Sequence, residues 1–332
     1  MTKVLLVEPI HETGIKILQQ AGLEVVVSPS VATETLMDLV KDNIFGIIVR
    51  TSPLAGEVLA AGKHLKIIGR HGIGVNNIDL AAADKLNILV ANVPDANAYS
   101  VAEYVITAVM TLSRRLVQGD AALRAGQLSQ AGASLPGLVK KYQLGGNELP
   151  GRCLGIIGLG KIGMQAAGMA AGLLKMEVLA YDPYRTEAPP GVTLVKDAQE
   201  IFRQADFITL NTPLTSETEN MINAAVLGTM KPTAYLINAG RGELIDEQAL
   251  ADALKQGTIA GAALDVFREE PPSLSNPLFS APNVLLTPHV AGSTEEAVER
   301  LAIGAAQAVA DWFGGRKPAN IVNPQVWTRI KP

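Results

Sequence analysis

Short runs of apolar, mostly β-branched or small residues recur along the chain, separated by polar stretches. Residues 4–7, 25–27, 45–49, 66–69 and 88–91 form a first series, and each run predicts a strand. Segments such as 15–21 and 33–40 between them have helical spacing. A second series follows at 153–158, 178–181, 207–210, 234–238, 261–265 and 284–287. Strands that are apolar on both faces and alternate with helices predict parallel sheets with crossover connections. Two such series predict an α/β protein of two doubly wound parallel-sheet domains, and 332 residues suffice for about two domains.

The boundary falls near Tyr99. Residues 100–116 predict one long helix leaving the first domain, and 124–150 read as a polar, Gly-rich, irregular arm. Residues 294–313 predict a long amphipathic helix, and 320–323 return to the first domain as a strand or loop. The expected organisation is a Rossmann domain at 100–292 inserted into a flavodoxin-like domain made of 1–99 and 293–332. Two helices would then bridge a cleft.

The run from Cys153 to Asp182 is chemically explicit. A buried strand leads into Gly158, Gly160 and Gly163, spaced G-x-G-x-x-G, then a helix, then a strand ending at Asp182. The first glycine permits the tight turn, the second lets a pyrophosphate approach the backbone, and the third lets helix and strand pack closely. Phosphate oxygens would meet free N–H groups at the helix N-terminus. Asp182 would accept from the adenosine ribose hydroxyls, which selects NAD over NADP; Arg185 nearby could reach a 2′-phosphate.

A net charge of −4 gives no reason to expect a nucleic-acid or anionic-membrane surface. The single cysteine, Cys153, lies in an apolar strand, so no disulfide can form within the chain and a reducing compartment fits. The apolar run before Glu8 and Pro9 is too short for a signal peptide, and no run approaches a membrane span. A cytoplasmic location is the expectation.

Of four histidines, His11 and His64 read as surface residues, His71 precedes Gly72-Ile73-Gly74, and His289 directly follows the last predicted strand. Arg241 and Glu270 follow two other strands. A cation, a carboxylate and an imidazole at neighbouring strand ends suit a hydroxy-acid dehydrogenase. The histidine takes the hydroxyl proton, the carboxylate orients the ring and stabilises its charged form, and the arginine grips the substrate carboxylate or polarises the carbonyl.

These residues carry a resemblance. VRTSPL (49–54), GRHGIGVNNIDL (69–80), GLGKIG (158–163), YDP (181–183), NTPL (211–214), NAGRGELIDEQAL (238–250), ALDVFREEPP (263–272) and TPHVAGST (287–294) resemble the D-isomer-specific 2-hydroxyacid dehydrogenases over nearly the whole chain. Within that family the chain is most similar to D-3-phosphoglycerate dehydrogenases without a C-terminal regulatory domain. The resemblance implies a catalytic triad of Arg241, Glu270 and His289. It implies NAD contacts from Gly158, Gly160, Lys161, Ile162, Gly163, Asp182, Thr212, Pro213, Asn238, Ala239, Gly240, Arg241, Asp265, His289 and Gly292. Substrate would meet Arg50, Ser52, Arg70, Ile73, Gly74, Val75, Arg241 and His289, with the N–H groups around 73–75 holding its carboxylate.

The resemblance has two departures, since family members often carry Asp where Asn76 stands and a small or hydroxylated residue where Ile73 stands. Arg50 and Arg70 favour an acid with a second anion at C3, such as 3-phosphoglycerate. If these arginines pair instead with acids such as Asp79 or Asp84, hydroxypyruvate, glyoxylate or D-lactate becomes the substrate class. A remote alternative is an NAD(H)-sensing co-repressor, although the sequence has no disordered tail. A homodimer is expected, because the helical region at 100–116 and the arm at 124–150 carry more apolar residues than a solvent-facing linker needs: Leu128, Leu135, Leu138, Val139, Leu144 and Leu149. No metal is expected.

Overall fold

The computed structural model describes residues 1–330 and divides the chain into two compact units, 1–97 with the segment from 293 onward, and 98–292. The first unit begins β1 (Lys3–Leu6), α1 (Glu12–Gln20), β2 (Glu24–Val27), α2 (Thr33–Leu39), β3 (Ile44–Val49), α3 (Gly56–Ala61), β4 (Ile67–Arg70), α4 (Leu80–Lys85) and β5 (Leu89–Ala91). The second unit runs α5 (Ala98–Ser113), α6 (Leu116–Arg124), α7 (Leu135–Lys141), β6 (Cys153–Ile157), α8 (Lys161–Gly172), β7 (Glu177–Tyr181), β8 (Val192–Leu194) and α9 (Ala198–Gln204). It continues β9 (Phe207–Leu210), α10 (Ala224–Leu227), β10 (Tyr235–Asn238), α11 (Glu247–Gln256), β11 (Gly261–Leu264) and β12 (Val284–Leu286). The chain then returns to the first unit as α12 (Glu295–Phe313) and α13 (Pro324–Ile330).

The first unit holds a five-stranded sheet ordered β2-β1-β3-β4-β5, and every neighbouring pair is parallel. The two faces of its central strands feed separate apolar clusters. Leu5, Ile47 and Ile68 face Leu36, Val58 and Leu59, while Val4, Ile48 and Ile67 face Ala302, Ala305 and Val309 of α12. Burial on both faces is what made these strands read as continuous apolar runs. The second unit holds a seven-stranded parallel sheet ordered β12-β11-β10-β9-β6-β7-β8. Its strand order reverses between β6 and β9, and that of the first sheet between β1 and β3. Open α/β sheets present their binding crevices at the carboxyl ends of such strand pairs.

Several sequence-based expectations need correction. The helix predicted over 100–116 ends at Ser113, because Arg115 adopts a left-handed conformation with φ 51°, and α6 starts afresh. The arm is not wholly irregular, since Ser134 caps α7 by accepting from the Gly137 N–H. Its apolar residues are also distributed differently. Leu138 and Leu149 are buried, Leu128, Val139 and Leu144 are half-buried and Leu135 is exposed, while the exposed Met110, Leu116, Val117 and Leu123 lie before the arm on α5 and α6. β8 went unpredicted, as did α13. Segment 320–323 makes an isolated antiparallel bridge between Ile321 and Ala91, and the buried Asn323 accepts from Val90 N–H at 2.8 Å.

Candidate functional site

In the second unit, β6 ends at Ile157 and the chain turns sharply at Gly158, with φ +92°. A Cβ on Gly158 would lie 2.7 Å from the Asn211 carbonyl oxygen, so the turn seats the glycine against the residue that follows β9. A Cβ on Gly163 would run into the Gly158 carbonyl, which fixes how closely α8 packs on the turn. Gly160 differs: its missing side chain faces open space, and no side chain caps α8 there. An uncapped helix start beneath an open backbone surface can receive a pyrophosphate. Lys161 and Ile162 open the helix.

Asp182 follows β7 and binds this turn directly. Its Oδ2 accepts from Leu159 N–H and its Oδ1 from Tyr184 N–H, both at 2.9 Å. Each carboxylate oxygen keeps a further acceptor position for a ribose hydroxyl. Arg185 is exposed three residues on. Beside the turn, Asn211 has a buried Nδ2 with no hydrogen-bond partner, and Thr212 and Pro213 continue into a loop where Thr218 donates to the Pro213 carbonyl at 2.8 Å. A tight glycine turn, an uncapped helix, an acid at the neighbouring strand end and an orphaned amide donor together fit a dinucleotide.

Three further strands lead to Arg241, Glu270 and His289. At the end of β10 the buried Asn238 shapes the next turn, donating to the Arg241 carbonyl at 2.8 Å and accepting from Gly240 N–H at 3.0 Å. Ala239 lies inside that turn. Arg241 itself donates through Nη1 to the Gly240 carbonyl at 2.7 Å. After β11, Glu270 Oε1 accepts from Phe267 N–H at 3.1 Å, and its Oε2 meets His289 Nδ1 at 2.7 Å. Burial alone would raise the Glu270 carboxyl. The hydrogen bond and charge of His289, the Phe267 N–H and the charge of Arg241 outweigh it and hold the group below the usual carboxylate value. Arg241, Glu270 and His289 therefore form one electrostatic cluster. Bonding through Nδ1 leaves Nε2 as the ring nitrogen available for proton exchange.

His289 stands in the left-handed region with φ 56°. The residue that holds it there is Asp265, which is fully buried. Its Oδ1 accepts from Thr287 Oγ1 at 2.6 Å and Val290 N–H at 2.9 Å, and its Oδ2 from Ala291 N–H at 2.8 Å. The structure thus places Asp265 in the interior as the brace of the 287–291 turn, with Gly292 next in the chain.

In the first unit, the loop after β3 carries Arg50 and Ser52. Glu8, just beyond β1, clamps it: its Oε2 accepts from Arg50 N–H at 2.9 Å and its Oε1 from Thr51 and Ser52 N–H, each at 2.8 Å. Arg50 Nη1 donates to the Pro9 carbonyl at 3.1 Å. After β4, Arg70 donates through Nε to the Gly74 carbonyl at 2.6 Å and through Nη1 to the His71 carbonyl, fastening the 71–74 loop. Asp79 caps α4 and Asp84 accepts from Asn323 and Gln325. Ile73 is exposed while Gly74 and Val75 are half-buried, and among the described residues no protein acceptor takes their three N–H groups. That loop can receive a carboxylate. His71 is buried with an unpartnered Nε2; burial first, then the charge of Arg50, pushes it down to about 4, so it is neutral.

Sequence reasoning missed Glu8, Tyr104 and Thr287. Glu8 reads as the polar end of a strand, and only its contact with a loop 42 residues away reveals its work. Thr287 lies inside the TPH motif and was detectable there, whereas Tyr104 lies in an otherwise ordinary helix.

Comparison with known proteins agrees with this geometry. Residues 106–291 match the profile described as D-isomer specific 2-hydroxyacid dehydrogenase, NAD binding domain. A D-3-phosphoglycerate dehydrogenase of Methanocaldococcus jannaschii is 40% identical over 326 residues, covering 97% of this chain and 60% of that protein. The chain thus spans about 60% of the length of such phosphoglycerate dehydrogenases. A glyoxylate reductase of Thermococcus gammatolerans is 35% identical, covering 99% of this chain and 98% of that one. Among solved structures, an NADPH-dependent glyoxylate/hydroxypyruvate reductase of Sinorhizobium meliloti is similar with a TM-score of 0.83 at 29% identity, over 97% of this chain and 96% of that one.

Proposed function

Since the chain belongs to the D-isomer specific 2-hydroxyacid dehydrogenase family, with 106–291 as its NAD-binding domain, we propose that it interconverts a small D-2-hydroxy acid and its 2-keto acid. The observation that carries this reading is the 2.7 Å contact of Glu270 Oε2 with His289 Nδ1, beside Arg241, beyond the ends of neighbouring strands in the sheet that carries the dinucleotide turn.

NAD, when bound, supplies the acceptor or donor of the C2 hydride. The turn at Gly158, Gly160 and Gly163 with Lys161 and Ile162 would hold its pyrophosphate, Asp182 its ribose, and Thr212, Pro213, Asn238, Ala239, Gly240 and Gly292 would line it. His289 Nε2 takes the hydroxyl proton as the alcohol is oxidised and returns it to the carbonyl oxygen on reduction. Glu270 stabilises the imidazolium, and Arg241 polarises the C2 oxygen or holds the carboxylate. The N–H groups of Ile73, Gly74 and Val75 receive the substrate carboxylate. Asp265 acts as the brace of the His289 turn.

Arg50, whose guanidinium has one contact on the Pro9 carbonyl, is assigned to a second anion at C3, which makes 3-phosphohydroxypyruvate the leading keto acid. A second reading is favoured by a specific observation. Arg70 spends Nε and Nη1 on its own loop, which suits glyoxylate or hydroxypyruvate. Measuring kcat/KM with NADH for 3-phosphohydroxypyruvate, hydroxypyruvate, glyoxylate and pyruvate tests both. Turnover of none would refute the activity, and preference for an acid without a second anion would refute the first substrate reading.

No helix among the described residues is long and apolar enough to cross a membrane, and a cytoplasmic location is proposed. A homodimer is also proposed, because Met110, Leu116, Val117, Leu123 and Leu135 leave exposed apolar surface on α5, α6 and α7. Light scattering of Leu116→Glu with Leu123→Glu should report a monomer where the wild type reports a dimer.

A further inference from the structure

The proposed chemistry uses Arg241, Glu270 and His289, yet the shortest side-chain bonds nearby belong to groups it does not use. Tyr104 Oη lies 2.6 Å from Thr287 Oγ1, and Thr287 Oγ1 lies 2.6 Å from Asp265 Oδ1. A threonine hydroxyl has one proton. The Asp265 carboxylate already accepts two backbone N–H groups and can only accept here, so Thr287 donates to Asp265. Tyr104 must then be the donor to Thr287. Its phenol suits that role: burial first, with the charge of Asp265, pushes it up to about 12, so the proton stays on.

We propose that Tyr104 is a positioning residue for His289, acting through Thr287 and Asp265; this rests on the reading of His289 as the proton carrier. Thr287 and Val290 both bond to Asp265 Oδ1, Ala291 bonds to Oδ2, and His289 N–H donates to the Asp265 backbone carbonyl at 2.7 Å. These bonds grip the chain on either side of a histidine with φ 56°. A non-glycine residue in the left-handed region costs about 1–2 kcal/mol and persists only where its surroundings over-determine it. Tyr104 supplies the outermost of those constraints. It stands on α5, far from the turn in sequence, and by donating to a Thr287 lone pair it fixes the hydroxyl rotor with its proton on Asp265. Without that donor the Thr287 hydroxyl can rotate off Asp265, and the histidine turn loses one of its anchors.

The test uses the full chain carrying Tyr104→Phe, Thr287→Val or Thr287→Ser. Steady-state reduction of the preferred 2-keto acid is measured with NADH titration by fluorescence and histidine ring NMR. Tyr104→Phe should lower kcat on the order of tenfold and Thr287→Val further, as expected for small misplacement of a catalytic group. KM and NADH affinity should stay within about twofold of wild type, and Thr287→Ser should restore kcat to within about threefold. The His289 ring signal, identified by its loss in His289→Asn, should shift in Tyr104→Phe while those of His11, His64 and His71 stay. Wild-type kcat with an unmoved His289 signal in Tyr104→Phe would overturn the proposal. So would a loss of turnover matched by lost NADH binding and shifts at all four histidines. If Thr287→Val does not fold, Tyr104→Phe and Thr287→Ser decide. If the wild type reduces no 2-keto acid, the proposed activity falls and the ring signal alone decides the positioning role.

Discussion

Replacing Glu270 with glutamine removes one charge from the acid-base cluster while keeping its shape. In the wild type one carboxylate oxygen accepts from Phe267 N–H and the other from His289 Nδ1. A glutamine amide offers one acceptor and one donor group, so it can satisfy one of these partners but turns an N–H toward the other. The charge interaction is lost in either arrangement. At about 4 Å between charge centres it is worth ~1 kcal/mol in water and ~4 kcal/mol near a protein surface. Side-chain exposure of 44% for His289 and 37% for Glu270 places the pair toward the solvated limit, discounting the figure to about 1–2 kcal/mol. Added to a weakened charge-assisted hydrogen bond, the expected loss is roughly 2 kcal/mol, on the order of thirtyfold in kcat.

The assay is keto-acid reduction followed at the NADH absorbance, with NADH affinity measured separately by fluorescence. Glu270 bonds to the proposed proton carrier, so the loss should fall on kcat and leave KM nearly unchanged. A pH series adds a signed check. The Glu270 carboxyl is held below its ordinary value, so its charge is present at neutral pH and is lost only as pH falls through that lowered value. Wild type and variant should therefore differ fully at neutral pH and converge in acid. A Glu270→Gln enzyme within about threefold of wild-type kcat at neutral pH would refute the reasoning, as would a loss confined to KM.

Other substitutions test other parts. Gly160→Val should leave the melting temperature nearly unchanged, because its side chain enters open space, while NADH affinity falls on the order of tenfold or more; calorimetry and fluorescence titration check this. Asp182→Ser should raise the kcat/KM ratio for NADPH over NADH, because a carboxylate that repels a 2′-phosphate is gone; an unchanged ratio would contradict the role. Glu8→Gln should destabilise by about 1–3 kcal/mol, a few degrees in melting temperature. Burial would raise the Glu8 carboxyl, but the Arg50, Ser52 and Thr51 N–H groups lower it, so the stabilisation holds at neutral pH and fades as pH falls through the lowered value.

What was legible in the sequence was what repeats locally. Val4, Leu5 and Leu6 are buried on both faces of their sheet, and such burial prints a continuous apolar run. The glycine triplet prints a turn, because each glycine answers a steric demand of the chain around it. β8 was not legible, since its three residues, VTL, lie at the sheet edge with none fully buried. The break at Arg115 was hidden, because nothing in a run of helix formers signals a left-handed residue. Helix α7 lies in a sequence rich in glycine and polar residues, and Ser134 followed by Leu135-Pro136 was its one start signal. Asn323 and Glu8 work through bonds to backbone far away in sequence, and such bonds leave no period to detect.

Glu8 also explains an asymmetry between the two sheets. Both reverse strand order, at β1/β3 and at β6/β9, and both therefore offer a crevice of the kind that binds anions. At β6/β9 the glycine turn leads into a helix with no side-chain cap, so the positive end of α8 is presented outward. At β1/β3 the equivalent donors, the successive N–H groups of Arg50, Thr51 and Ser52, are already taken by an internal carboxylate. Three N–H groups in succession form the kind of nest that otherwise cradles phosphate. With Glu8 seated in it, a phosphate would meet a like charge instead of donors. On the proposed function, anion recognition in the first unit would therefore fall to the 73–75 loop and the Arg50 guanidinium instead of the backbone of the 50–52 loop. On this argument a C3-anionic substrate depends on Arg50 alone among the groups of that loop. Arg50→Lys should then erode discrimination for 3-phosphohydroxypyruvate over glyoxylate, because an ammonium cannot match the guanidinium fork on a phosphate, and an undiminished preference would show that the second anion is bound elsewhere.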